Sequence, residues 1–168
     1  MLRQSSLKFL PKTISIKLLN KTMDTIEFDY KLFFDGASKG NPGLAGAGAV
    51  IYHYEKEIWN GYKFIGEKAT NNEAEYSGLI IGLNKAIELN IKSLLVNGDS
   101  LLVINQMSGK YKCNSENLLP LYNTAKELSA KFKNIQFQHI YRNLNKRADE
   151  LSNIAITNFQ INELTNDK

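Results

Sequence analysis

The sequence predicts an α/β fold: a mixed five-stranded sheet, three antiparallel strands followed by two parallel ones, flanked by helices. Three observations carry that expectation. Strand-like apolar runs crowd residues 30–65, separated only by a glycine-rich stretch and a short charged turn. An apolar stripe at Leu79, Leu83, Ala86 and Ile87 has the three-and-four spacing of one helix face. Beyond residue 92, short apolar runs alternate with helical patterns, an order that builds parallel neighbours.

Tyr30–Phe34 is a short apolar run that opens the sheet, and the glycine-rich Gly36–Gly46 after it reads as a loop. A simple hairpin at that point is not expected, because no strand-like run follows at hairpin spacing. Ala47–Tyr54 and Ile58–Ile65 read as strands joined at the charged turn Glu55–Glu57, so the first three strands form a meander. Asn71 and Asn72 offer helix caps just before the apolar stripe. Ser93–Val96 reads as the fourth strand and Asp99–Met107 as a short helix. Leu118–Phe132 reads as a longer helix, Ile135–Tyr141 as the fifth strand and Asn145–Phe159 as the last helix.

Composition bounds the class. A chain of 168 residues, 43% hydrophobic and 23% charged, suits one globular domain with a sizeable core. No apolar run approaches the ~20 residues that span a bilayer, and no membrane partner is expected. The single cysteine, Cys113, excludes an internal disulfide framework and fits a reducing compartment. The net charge of +4 does not by itself indicate nucleic acid. Arg3, Lys8, Lys12, Lys17 and Lys21 stand in an acid-free segment, and setting them aside leaves 16 basic against 17 acidic side chains.

Three regions follow: a basic extension over 1–23, one domain over 24–160 and a polar tail over 161–168. The extension reads either as an organellar transit peptide or as a disordered arm adding basic contacts, and Met23 is an alternative start to Met1. The expected location is accordingly intracellular: cytoplasm or nucleus, or an organelle such as the mitochondrion under the transit-peptide reading. A monomer is expected.

Four acids stand out. Asp35 ends the first apolar run and opens Asp-Gly-Ala-Ser-Lys-Gly-Asn-Pro-Gly, where a plain turn is the simplest explanation. Glu75 falls on the same helical face as Leu79 and Leu83, and a core-facing carboxylate is costly unless paired or bound to a metal. A capping-box acid is the alternative there, a role Glu73 fills as easily. Asp99 follows the fourth strand and, alone, reads as an N-cap. Asp149, beside Ala148, Leu151 and Ala155, reads alone as a surface acid favoured by the helix dipole.

Together they mean more. Strands one and four can be neighbours, which sets Asp35 beside Asp99, with Glu75 and Asp149 reaching in from helices. Carboxylates so close repel one another, and hard cations with oxygen ligands relieve the repulsion. Two such ions ~4 Å apart can activate a water and stabilise the leaving oxygen of a phosphodiester.

The blocks FFDGASKGNPGLAGAGAV, TNNEAEYSGLIIGL, GDSLLVINQ and NLNKRADELSNIA, over about Tyr30 to Ile156, resemble type 1 ribonuclease H in the family's order. The resemblance implies a ribonuclease H-like fold and endonucleolytic hydrolysis of the RNA strand of RNA/DNA hybrids, leaving 5′-phosphate and 3′-hydroxyl ends. It implies two magnesium ions, with manganese as a substitute, held by Asp35, Glu75, Asp99 and Asp149. Ser38, Asn41 and Asn72 match positions that resemble minor-groove contacts, where short polar groups can test for 2′-hydroxyls. Thr70 and Asn71 fall where the DNA backbone is expected to pass. Glycines 36, 40 and 43 either let the main chain approach the duplex or simply make a tight loop.

Three departures bear on this. No histidine lies between Tyr141 and Asp149, and the short Arg142-Asn143-Leu144-Asn145 stretch looks like the archaeal and plant-like form. Arg142 then either stands in for the loop histidine of bacterial members or contacts a phosphate. Leu101 replaces a polar residue often found two positions after the third acid. Residues 107–117 are too short for the bacterial basic protrusion, with Lys110 and Lys112 as its remnant, so affinity is expected to be modest and salt-dependent. His139 reads as structural, His53 has no motif around it, and Trp59 reads as packing.

Two rival readings fit the sequence less well. A proofreading-type exonuclease typically carries Asp-x-Glu on its first strand, whereas Asp35 is followed by Gly36 and Ala37. A non-enzymatic hybrid-binding module need not keep all four acids.

Overall fold

A computed structural model of the chain describes residues 27–166, so the expected extension over 1–23 and the choice of start lie outside the described residues. Strand β1 spans Tyr30–Gly40, β2 Gly43–His53 and β3 Lys56–Ala69. Helix α1 spans Asn71–Glu88, β4 Ser93–Gly98, α2 Leu101–Met107 and α3 Leu119–Ser129. Strand β5 is Asn134–His139, a 3₁₀ turn covers Arg142–Leu144, and α4 runs Lys146–Asn166. The sheet order is β3-β2-β1-β4-β5, antiparallel across β3, β2 and β1 and parallel across β1, β4 and β5. This is the predicted mixed sheet. No helix among the described residues is long and apolar enough to cross a membrane.

The glycine-rich segment departs from expectation. It is a hairpin, with β1 and β2 paired from Tyr30↔His53 to Gly40↔Gly43. Its glycines answer to packing as much as to turning. A Cβ on Gly36 would lie 2.1 Å from the Glu75 backbone nitrogen, so α1 rests directly on β1. Gly46 and Gly48 give α4 the same close approach to β2. Only at the tip does backbone conformation decide, where Gly40 has φ +98°.

The caps also differ. Thr70, one residue before Asn71, is the N-cap of α1: its hydroxyl accepts from the Glu73 amide, and the Glu73 carboxylate accepts from the Thr70 amide at 2.7 Å. That reciprocal box satisfies two first-turn donors at once, which a lone asparagine cannot do. Ser100, rather than Asp99, caps α2. Helix α4 continues past Phe159 to Asn166, into the expected tail, and Phe159 stacks on Phe64 of β3 at 3.8 Å.

The core lies between the sheet and α1 to α3. Leu32, Phe34, Leu79, Leu83, Leu94, Val96 and Val103 are all fully buried there, and each such side chain contributes roughly 1.5–3 kcal/mol. Helix α4 packs against β2, β1 and β3. Helices α1 and α4 thereby both pack against β1.

Candidate active site

The parallel register Phe33↔Asn97 carries both chains two residues further to Asp35 and Asp99, side by side at one end of the sheet. Glu75 enters from the second turn of α1, on the face shared with Leu79 and Leu83, and is 5% exposed. One carboxylate oxygen from each of Asp35, Glu75 and Asp99 lies within 4.8 Å of the other two. Asp149, on the first turn of α4, stands outside that trio and is bound by Arg142, whose Nη2 donates to its Oδ1 at 2.6 Å.

Asp35, Glu75 and Asp99, but not Asp149, line a cleft of about 440 Å³ together with Ser38, Lys39, Asn71, Ser100, Arg142 and Asn153. Burial pushes the Asp35 carboxyl from its ordinary 3.8 to about 7; Asp99 and Asp149 add to the rise, while Ser152 and Arg142 oppose it. Burial likewise drives Glu75 well above the carboxylate range, with the charges of Asp35 and Asp99 reinforcing it. Glu75 Oε2 is buried and has no hydrogen-bond partner among the described residues. An orphaned carboxylate oxygen beside two more carboxylates is a donor set for a hard cation, so the residues present fit magnesium.

The expected substrate contacts divide. Ser38 and Asn71 line the cleft, as does Arg142, which is largely exposed. The Ser38 hydroxyl lies against the carbonyls of Gly40 and Ala69, and its single proton leaves its lone pairs free to accept. The other three lie outside that lining. Asn41 sits at the hairpin tip with its Oδ1 accepting from the Asn71 amide at 3.1 Å, which fastens the tip to α1. Thr70 is taken up in the capping box, and Asn72 is half-buried on the first turn of α1. Gly36 lets α1 rest on β1 and also lines the cleft. His139 is exposed, 3.2 Å from the Asp99 carbonyl, and edge-on to Tyr141.

Two residues were missed. Asn145, 1% exposed, donates to Asp99 Oδ1 at 2.7 Å and to the Phe34 carbonyl at 2.8 Å, joining α4, β1 and β4. Ser152, fully buried, donates to Asp35 Oδ2 at 2.6 Å. A signal existed: positions 145, 148, 152 and 155 share one helical face, and two of the four are polar on a stripe otherwise bearing alanine.

With this geometry in view, comparison with known proteins is informative. A family model described as reverse transcriptase-like matches residues 33–155. A bifunctional protein of Mycobacterium tuberculosis is 43% identical over 124 residues, which cover 73% of this chain and 34% of that protein. The chain thus spans about a third of that relative's length. Ribonuclease HI of Halobacterium salinarum is 39% identical over 125 residues, covering 74% of this chain and 62% of that protein. Its crystal structure superposes with a TM-score of 0.73 at 36% identity, over 77% of this chain and 98% of the other. LC11-RNase H1, solved in complex with an RNA/DNA hybrid, gives a TM-score of 0.73 at 33% identity, over 78% of this chain and 99% of that one.

Proposed function

The chain belongs to the type 1 ribonuclease H family, and on that premise we propose that it hydrolyses the RNA strand of RNA/DNA hybrids endonucleolytically, leaving 5′-phosphate and 3′-hydroxyl ends. The observation that carries the reading is the trio of carboxylates within 4.8 Å in an open cleft, one of them with a buried oxygen that no group among the described residues satisfies. Asp35, Glu75 and Asp99 would hold the cation, and Asp149 completes the set from α4 once Arg142 turns from it to the substrate. When held by these acids, two magnesium ions, or manganese in their place, would supply water activation and charge stabilisation at the leaving oxygen.

The chain's own residues bind and orient. Arg142, exposed at the cleft rim, is placed to take a phosphate with a guanidinium already aimed across the site. Ser38 can accept from a 2′-hydroxyl, a group only the RNA strand carries. Asn71, at the start of α1 and lining the cleft, can offer its side-chain amide to the backbone of the opposite strand. Asn145 keeps Asp99 registered against β1 through its two hydrogen bonds.

The test is cleavage of matched RNA/DNA, RNA/RNA and DNA/DNA duplexes, with magnesium and then manganese. Cutting confined to the RNA strand of the hybrid, dependent on the cation, is expected. Equal cutting of DNA/DNA, or cleavage in excess chelator, would refute the assignment.

A further inference from the structure

The geometry points to Ser152 as a positioning residue that presets Asp35 for its cation, a role that rests on the metal-site reading above. Its hydroxyl is fully buried and has one proton but two acceptors in reach: Asp35 Oδ2 at 2.6 Å and the Asp149 carbonyl at 2.8 Å. A hydrogen bond to a carboxylate is the stronger of the two. The carbonyl three residues back is the partner any helical serine can find for itself. Ser152 therefore serves Asp35 without needing it, and its side chain stays satisfied whatever Asp35 does.

What makes the contact directional is the backbone beneath it. A Cβ at Gly46 would lie 2.3 Å from the Ser152 carbonyl oxygen, and one at Gly48 would lie 2.6 Å from the Ser152 nitrogen. Helix α4 is thus seated on β2 by main-chain contact on both sides of this one residue. Asp35 stands on β1, paired directly with Gly48. Packed backbone thus fixes the spacing of Ser152 from Asp35, and the hydroxyl spans it from a site it also shares with the Asp149 carbonyl. Asp35 Oδ2 is held from the helix side, while a carboxylate oxygen of Asp35 stands within 4.8 Å of one each from Glu75 and Asp99. An unheld carboxylate would have to stop rotating when the cation arrives, and that ordering weakens binding.

Calorimetric titration of magnesium into the full chain without substrate tests this, comparing wild type with Ser152→Ala, Ser152→Thr and Asp35→Asn. Ser152→Ala is expected to raise the magnesium Kd about tenfold, the size of one charge-assisted hydrogen bond partly replaced by water. Its KM for hybrid at saturating magnesium should stay at the wild-type value, which a general loosening of the site would not allow. Ser152→Thr, which restores the hydroxyl, should recover most of the affinity. If Ser152→Ala binds magnesium as wild type does while Asp35→Asn does not, the positioning role is overturned and the metal site stands. If Asp35→Asn also binds as wild type does, the metal-site reading fails and takes this inference with it.

Discussion

Replacing Asp35 by Asn should make the cation-free protein more stable while abolishing cleavage, and the size of the gain can be worked from the site. Burial and the nearby charges of Asp99 and Asp149 push Asp35 from 3.8 to about 7 in the folded state. The folded protein holds this proton more tightly than the unfolded chain does. The carboxyl therefore stabilises the fold fully below about pH 4, and that contribution is lost as pH rises through about 7. At about 1.4 kcal/mol per pH unit, the interval amounts to roughly 4 kcal/mol between acid and pH 8. Asn cannot ionise, yet its carbonyl can still accept from Ser152. In chelator at pH 8 the variant should melt higher than wild type by on the order of 10 °C, and the gap should close near pH 4. Magnesium should raise the melting temperature of wild type and leave the variant nearly unmoved. Thermal melts by circular dichroism at pH 4, 6 and 8, with and without magnesium, measure all of this. The same variant should lack magnesium-dependent cleavage yet keep hybrid affinity. A variant that melts at or below wild type at pH 8 in chelator would refute the picture of mutually repelling, cation-binding acids.

Two further outcomes follow from the geometry. Gly36→Ala places a methyl 2.1 Å from the Glu75 nitrogen where ordinary contact begins near 3.4 Å, so α1 must retreat by more than an ångström. Denaturant unfolding should show a loss of about 1–3 kcal/mol or more, and magnesium-dependent cleavage should fall with Glu75 displaced. Arg142→Ala removes an exposed ion pair with Asp149, so unfolding should change by less than about 1 kcal/mol. Steady-state kinetics should nevertheless show a marked fall in kcat/KM, and the slope of log affinity against log salt should drop by about one.

Much of the site was legible because its chemistry leaves local traces. Glu75 stands out by occupying a helical face beside Leu79 and Leu83, and its capping-box alternative falls away because Glu73 fills that role. The adjacency of Asp35 and Asp99 followed from a meander and a helical crossover, and the register Phe33↔Asn97 bears that adjacency out. The glycine-rich hairpin was misread because glycine signals turns when seen alone, whereas Gly36, Gly46 and Gly48 are small so that helices can touch strands. No local pattern distinguishes those two uses. The Thr70 cap has a local signature, Thr-x-x-Glu, which competes with the asparagines after it.

By itself, then, the sequence determined the order of most elements, the sheet's mixed topology, the family, and that Asp35 and Asp99 end neighbouring strands with Glu75 on a core-facing helical face. Those depend on periodicity and on residue types that physical chemistry restricts one position at a time. Only the tertiary structure decided how the acids divide, with Asp35, Glu75 and Asp99 clustered and Asp149 held off by Arg142. It alone revealed Asn145 and Ser152 bonded to two of those acids. The reason is that a hydrogen bond between residues 46 or 117 positions apart depends on distances that packing sets to within an ångström, and sequence periodicity carries no information at that scale.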